Sequence, residues 1–263
     1  MIITCSCSGF IYDGVSSEDF GLKIGTFDGG GVQSGTVGLN LNIEQIRIGT
    51  NPVPILTSAY YDSVLEFEIH TFFSPDKTVT SGDNRAIKKW LSRTGDYKKL
   101  IVQARRFEHY YFMVKVKDIQ PILVGDEIAG YKFFFVCDSP FAWEDFSYEA
   151  ELEGETVTFS IENTSDYEGK LFPTIDYSCT TTGPFSIKNV ETGVSMEFSE
   201  IYAATTTSIK MPQSIITTTM DNHNFYKYFN RKFLYLLPGV NTLEMTGTGT
   251  LTISGRFARM VGE

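Results

Sequence analysis

One stretch of this 263-residue chain reads as helix, and nearly all the rest reads as short strands. Leu65, Phe67 and Ile69 alternate with Glu66, Glu68 and His70, the period-two pattern of a half-buried strand. Leu100 to Ala104 and Tyr110 to Val116 are further runs of aromatic or β-branched residues. Gly125-Asp126 and Gly130 read as turns, and Tyr131 to Cys137 is dense enough in Phe to be buried on both faces. The 21 Phe and 14 Tyr lean the same way, because aromatic side chains fit a pleated, half-buried surface. The exception is SGDNRAIKKWLSRTG. There Ser81 or Asp83 caps a helix start, and Ala86, Ile87, Trp90 and Leu91 make one apolar stripe. Gly95 supplies the stop, which places the helix at about 82–94.

A boundary falls at Asp138-Ser139-Pro140, since proline cannot donate to a ladder and biases its predecessor away from helix. From residue 145 onward no helix is expected. Short runs recur between turn residues: Thr156 to Ile161, Thr174 to Cys179, Ser208 to Met211, Ile215 to Met220, Val240 to Met245 and Leu251 to Phe257. Threonine triplets at 180–182, 205–207 and 217–219 add a β-branched residue of poor helix propensity. Strands at this spacing point to a β-sandwich. The chain is therefore expected to be mostly β, with a β-rich domain over 1–138 and a sandwich over 139–263.

The net charge of -10 is uneven. Residues 1–138 hold 14 Lys+Arg against 16 Asp+Glu, and residues 139–263 hold 8 against 16. Such a surface repels phosphate, which argues against nucleic acid as an attracted partner. The opening MIITCSCSGF has neither the basic start nor the apolar run of a signal peptide, and no stretch approaches a membrane span. Cys5, Cys7, Cys137 and Cys179 lack metal-site spacing, so reduced thiols and no metal are expected.

Catalytic chemistry finds little support. His70 follows the alternating strand and His109 falls near a turn, neither beside a recognisable nucleophile. Glu66 and Glu68 share a strand face, the arrangement of a glycosidase pair, but charged residues alternating with apolar ones are what a solvated sheet face looks like. GTFDGGGVQSG, residues 25–35, lacks the Gly-Lys-Ser/Thr ending of a phosphate loop and reads as a glycine-rich loop. No catalytic residue, cofactor or metal ligand is assigned.

Three ordered segments resemble the distal tail proteins of long-tailed bacteriophages. The first is FIYDGVSSEDFGL, with Phe10, Tyr12, Gly14, Ser16 or Ser17, Phe20, Gly21 and Leu22 in an aromatic-x-aromatic, glycine turn, serine, aromatic-Gly-aliphatic order. The second is FFFVCDSPFAWED, with Cys137, Ser139, Pro140 and Phe141 at a strand and Ser-Pro-aromatic junction. The third, residues 220–259, centres on Leu237-Pro238-Gly239-Val240-Asn241, a Pro-Gly-x-Asn turn before a final antiparallel pair.

The resemblance implies a structural protein of the virion, at the distal end of the tail. It implies a homo-oligomeric ring, usually a hexamer, joining the tail tube protein to the tail-tip hub and to receptor-binding proteins, with a channel for DNA. It also implies a galectin-like C-terminal sandwich, in a short form without an inserted sugar-binding module. Asp13, Asp19, Asp28, Glu44, Asp62, Glu66 and Glu68 are then candidates for a channel wall that repels phosphate. Two other classes compete: a carbohydrate-binding adhesion module and a cell-wall hydrolase. Galectin sugar sites use a His-Asn-Arg-Trp set; His223, Asn224 and Arg231 are loosely placed for it, but both tryptophans, Trp90 and Trp143, lie earlier.

Overall fold

The computed structural model describes residues 9–25, 41–50, 52–61, 64–74, 79–103, 107, 109–220 and 225–261. The chain divides into two compact units, residues 1–143 with 259–263, and residues 144–258. It is mostly β, with one α-helix among the described residues.

The first unit is built on a seven-stranded antiparallel sheet. Its strands in chain order are β1 (Phe10–Tyr12), β2 (Val15–Ser16), β3 (Leu22–Ile24), β6 (Glu66–Phe73), β7 (Lys98–Val102), β8 (Phe112–Val124) and β9 (Glu127–Cys137). In space the order is β2-β1-β7-β8-β9-β6-β3. The two edge strands are thus separated in sequence only by a 3₁₀ turn at Ser17–Phe20, so the sheet curls until its edges meet. The Ser17 hydroxyl, fully buried, accepts from the Phe10 N–H at 3.1 Å and donates to the Leu22 carbonyl at 3.1 Å. One side chain therefore ties β1 to β3 and closes a split barrel. Phe10, Tyr12, Leu22, Phe67, Phe112, Phe133 and Phe135 fill the interior.

The strand at Glu66–Phe73 alternates as expected, with Phe67, Ile69 and Thr71 buried. In β9, by contrast, only one face is buried: Tyr131, Phe133, Phe135 and Cys137 point inward while Lys132, Phe134 and Val136 are half-covered. Gly130 is not a turn but lies within β9, where a Cβ would sit 1.9 Å from the Thr71 carbonyl oxygen. Gly125-Asp126 does form the β8–β9 turn, with Gly125 at φ 64.

The helix, α1, spans Ser81–Leu91, shorter at its C-terminus than expected. Its cap is Thr80, neither Ser81 nor Asp83: the Thr80 hydroxyl accepts from the Asp83 N–H at 3.2 Å, and the Asp83 carboxylate accepts from the Thr80 N–H at 2.9 Å. This reciprocal box satisfies two first-turn donors. Ser92, not Gly95, follows the last turn, donating to the Lys88 carbonyl at 2.8 Å. Ile87, Trp90 and Leu91 face the barrel core, while Ala86 is exposed.

The second unit is a β-sandwich. One sheet runs β10-β18-β12-β15-β16, from β10 (Ala142–Glu153), β18 (Thr248–Arg259), β12 (Thr174–Cys179), β15 (Thr205–Lys210) and β16 (Ile215–Thr218). The other runs β11-β17-β13-β14, from β11 (Val157–Asn163), β17 (Gly239–Thr246), β13 (Gly183–Asn189) and β14 (Val194–Ile201). Ile161, Phe185, Ile187, Leu243 and Met245 from the second sheet share a core with Ile175, Tyr177, Leu251 and Ile253 from the first. The Tyr177 and Phe185 rings stack across it at 4.0 Å. The polar end of Tyr177 is satisfied as well: its hydroxyl donates to the Thr248 carbonyl and accepts from the Thr248 N–H, both at 2.9 Å. The strand at Thr174–Cys179 falls where expected, whereas β13 and β14 were not anticipated. Pro184 in β13 sits at a bulge, where a missing N–H costs no ladder bond.

Two substitutions test these closures. Ser17→Ala leaves a buried N–H and carbonyl without their partner and lowers the urea-unfolding free energy by about 1–3 kcal/mol. A loss below about 0.5 kcal/mol, the range of neutral surface changes, would show that the barrel edges hold without it. For Tyr177, burial first of all pushes the phenol up to about 12 from 10.0. Because the folded value is raised, its contribution is complete below the unfolded value near 10 and is lost as pH rises towards 12. Tyr177→Phe therefore flattens the fall of stability in this alkaline window, measured by chemical denaturation at stepped pH. An unchanged alkaline slope would contradict the assignment.

Candidate assembly surface

The three sequence segments do different structural jobs. In the first, Phe10 and Tyr12 put their rings into the barrel, and Trp90 of α1 meets both, stacked on Phe10 at 5.6 Å and edge-on to Tyr12 at 6.0 Å. The Trp90 indole N–H donates to the Tyr12 carbonyl at 3.1 Å. Gly14 turns the chain at φ 80, and Gly21 ends the 3₁₀ turn at φ 71, conformations that favour glycine. Phe20 stacks on the other side of Trp90 at 4.7 Å, and Leu22 re-enters the core. The segment closes the barrel and seats the helix.

The second segment is a corner. The Ser139 hydroxyl accepts from the Phe141 N–H at 3.2 Å and donates to the Phe141 carbonyl at 2.9 Å, folding the chain around Pro140, which has no N–H to satisfy. Leu65 holds the corner from the side, donating to the Ser139 carbonyl and accepting from the Cys137 N–H. Cys137 itself is buried, and burial pushes its thiol far above the usual range, so it stays protonated and unreactive. Phe141 meets Tyr61 edge-on at 5.3 Å.

That contact roots an unusual element. β4 (Leu41–Ile46) and β5 (Ile55–Tyr61) form a two-stranded sheet of their own. Register gives it two faces. On one face Ile43 pairs with Ala59 and Gln45 with Leu56. On the other, Asn42 pairs with Tyr60, Glu44 with Ser58 and Ile46 with Ile55, and the Glu44 carboxylate accepts from the Ser58 and Tyr60 hydroxyls. Apolar side chains along this arm are open to solvent, from 51% for Ile55 to 67% for Val53, with Ile43 at 57% and Leu56 at 58%. A two-stranded ribbon is marginal in water by itself. Contiguous exposed apolar residues on such a ribbon mark a contact surface.

The third segment is a buried amide network. Gly239 lies at φ 86, and the Asn241 side chain uses all of its hydrogen-bonding capacity. It donates to the Leu237 and Gly239 carbonyls and accepts from the Leu237 N–H and the Asn189 amide, at 2.7–3.0 Å. Asn163 donates to the same Leu237 carbonyl at 3.1 Å. Three asparagines at strand ends, each at most 3% exposed, thus fix the Pro238-Gly239 turn.

The acidic residues considered for a channel wall are mostly compensated. Asp13 pairs with Arg93 at 2.9 Å and Lys98 at 3.5 Å, Glu66 with Lys117 at 3.0 Å, and Glu68 with Lys132 at 3.4 Å. Asp19 accepts from the Ser16 N–H at the 3₁₀ turn. Asp28 and Asp62 lie outside the described residues, as do Cys5, Cys7, most of the glycine loop, His223 and Asn224. Outward positions of the sandwich carry residues such as Thr250, Thr252, Asp176, Ser178 and Thr206, and among the described residues no aromatic ring lies on these strand faces to stack a sugar. A cleft of about 420 Å³ beside β14 is lined by Glu197, Ser199, Lys227, Tyr228 and Asn230. The Tyr202 hydroxyl, 3.0 Å away, and then the Lys227 ammonium hold the Tyr228 phenol below its usual range. Neither group is a nucleophile paired with a base.

None of the curated proteins matches the sequence. Solved structures do. The Dit (gp 19.1) protein of phage SPP1, described as a paradigm of the hub adsorption apparatus in phages infecting Gram-positive bacteria, is similar with a TM-score of 0.65 at 14% identity, over 95% of this chain and 98% of that one. The activated phage p2 baseplate contains a chain similar at 9% identity over 89% of this chain and 90% of that one, with TM-scores of 0.52 in the Ca form and 0.53 in the Sr form. These are likenesses of fold. Residues 141–255 match the phage tail C-terminal domain family, and residues 5–139, just over half of the chain, match the phage tail protein N-terminal domain family, so this chain belongs to the phage tail proteins.

Proposed function

We propose that this phage tail protein is a distal tail component that self-assembles into a ring, a hexamer by analogy with the family it resembles, between the tail tube protein and the tail-tip hub. The observation that carries this reading is the β4–β5 arm, which is rooted at Tyr61 against Phe141 and exposes apolar side chains along its length. An arm with Ile43, Leu56 and Val53 in water is stabilised by burial against another subunit, at roughly 25 cal/mol per Å² of apolar surface covered. A head-to-tail contact of that kind generates a ring when its rotation closes. The fold shared with the phage SPP1 hub protein and a phage p2 baseplate chain supports the same place in the virion.

On this reading residues 1–138 form the ring and residues 139–263 are a galectin-like sandwich available to the hub or to a receptor-binding protein. DNA passes through the ring without specific binding. The ion pairs at Asp13, Glu66 and Glu68 leave little uncompensated charge at those positions to hold or expel a phosphate backbone. The role is mechanical, with no bond-making chemistry assigned.

Light scattering after size exclusion, with negative-stain electron microscopy of the peak, tests the proposal. The wild type is expected as a ring, and Ile43→Ser with Leu56→Ser as monomers with unchanged circular dichroism. A double variant that still forms rings, or a wild type that remains monomeric at high concentration, would remove the arm or the ring from the account.

A further inference from the structure

We infer that the outer face of α1 docks on an acidic flank of the sandwich in a second copy of the chain, an inference that rests on the self-assembly proposed above. The helix carries Arg85, Lys88 and Lys89 on the side opposite Ile87, Trp90 and Leu91, and all three cations are exposed. None of them takes part in an ion pair among the described residues, and the one acid in the helix, Asp83, is engaged in the cap. Arg85 and Lys89 stand at i and i+4, a like-charge spacing that mildly destabilises a helix. An unneutralised basic face is out of character for a chain of net charge -10.

Its complement is on the same chain. Residues 144–169 contain nine Asp and Glu and no Lys or Arg. They build β10 and β11, which are consecutive in sequence and are the terminal strands of their two sheets. Glu149, Glu151 and Glu153 project from one sheet and Glu162 from the other, all exposed, so carboxylates wrap one flank of the sandwich. None of these four appears in an ion pair among the described residues. Each copy thus offers a basic helix and an acidic flank, which suits a repeated head-to-tail contact. Complementary charge of this kind sets register and speeds association more than it adds affinity. Three cations are a small footprint for nucleic acid, and a net charge of -10 disfavours it.

A charge exchange tests the contact. One variant carries Arg85→Glu, Lys88→Glu and Lys89→Glu; the other carries Glu149→Lys, Glu151→Lys and Glu153→Lys. All six positions are exposed, so circular dichroism and melting temperature should match the wild type. Sedimentation at low salt is expected to show wild-type oligomers, dissociation of each variant alone by roughly tenfold or more, and recovery when the two are mixed in equal amounts. Recovery on mixing requires contacts between copies, because neither variant can repair a contact within its own chain. Raising salt to about 1 M, where the screening length is about 3 Å, should weaken the wild type by a similar factor. Oligomers that ignore both variants would overturn this contact while leaving the ring intact. A monomeric wild type would overturn the ring and the contact together. Variants that dissociate and do not recover on mixing would also overturn it, as would helix-dependent retention of DNA with oligomers unchanged.

Discussion

A single buried hydroxyl decides the shape of the first unit. β2 and β3 are opposite edges of a seven-stranded sheet and yet near neighbours in sequence, so the sheet has to curl for the chain to connect. Ser17 turns that requirement into a fixed geometry by bonding Phe10 on one edge and Leu22 on the other. With the edges held, Phe10 and Tyr12 present their rings to Trp90, and α1 gains its seat. A closed sheet also has no long free edge to offer to chance pairing. The apolar surface left exposed is then concentrated on the β4–β5 arm, where it can be specific.

The two units solve the same problem by different means. The barrel is closed by an edge-to-edge hydroxyl and plugged by a helix. The sandwich is held by the Tyr177 ring stacking on Phe185 between sheets, by Phe229 stacked on Phe198 beside β14, and by asparagines that finish its strand ends. In both, the buried polar side chains that make the closure, Ser17 and the three asparagines, lie within a few residues of a strand terminus. This leaves strand faces free to vary, which fits a fold that persists at 14% identity with the phage SPP1 protein.

Much of this was legible in the sequence, and the rest was hidden for definable reasons. Period-two alternation located Glu66–Phe73 because one of its faces is buried and the other is not, and Thr174–Cys179 stood out as a short run between turn residues. The helix was legible from its apolar stripe, but its cap was misplaced: the Thr80-x-x-Asp83 spacing is a capping box, and residue type alone favoured the neighbours. Gly130 read as a turn because close backbone approach and turning both ask for glycine. Ser17 could be singled out as a motif position, but its two hydrogen bonds join residues brought together only by closure. The arm was least legible, since Ile43 and Leu56 look like core residues and sequence does not say which apolar residues stay outside.

The asparagine corner bears on durability. Asn163, Asn189 and Asn241 are uncharged at any pH a folded protein survives, so this amide network neither gains nor loses a proton as surroundings change. Hydrolytic ageing of an asparagine begins when the next residue's backbone nitrogen attacks the side-chain carbonyl. At Asn241 that carbonyl is engaged twice and the backbone lies in an antiparallel ladder with β11, so the attack geometry is out of reach. A particle component made once and never renewed is, at this corner, built from groups that do not wear.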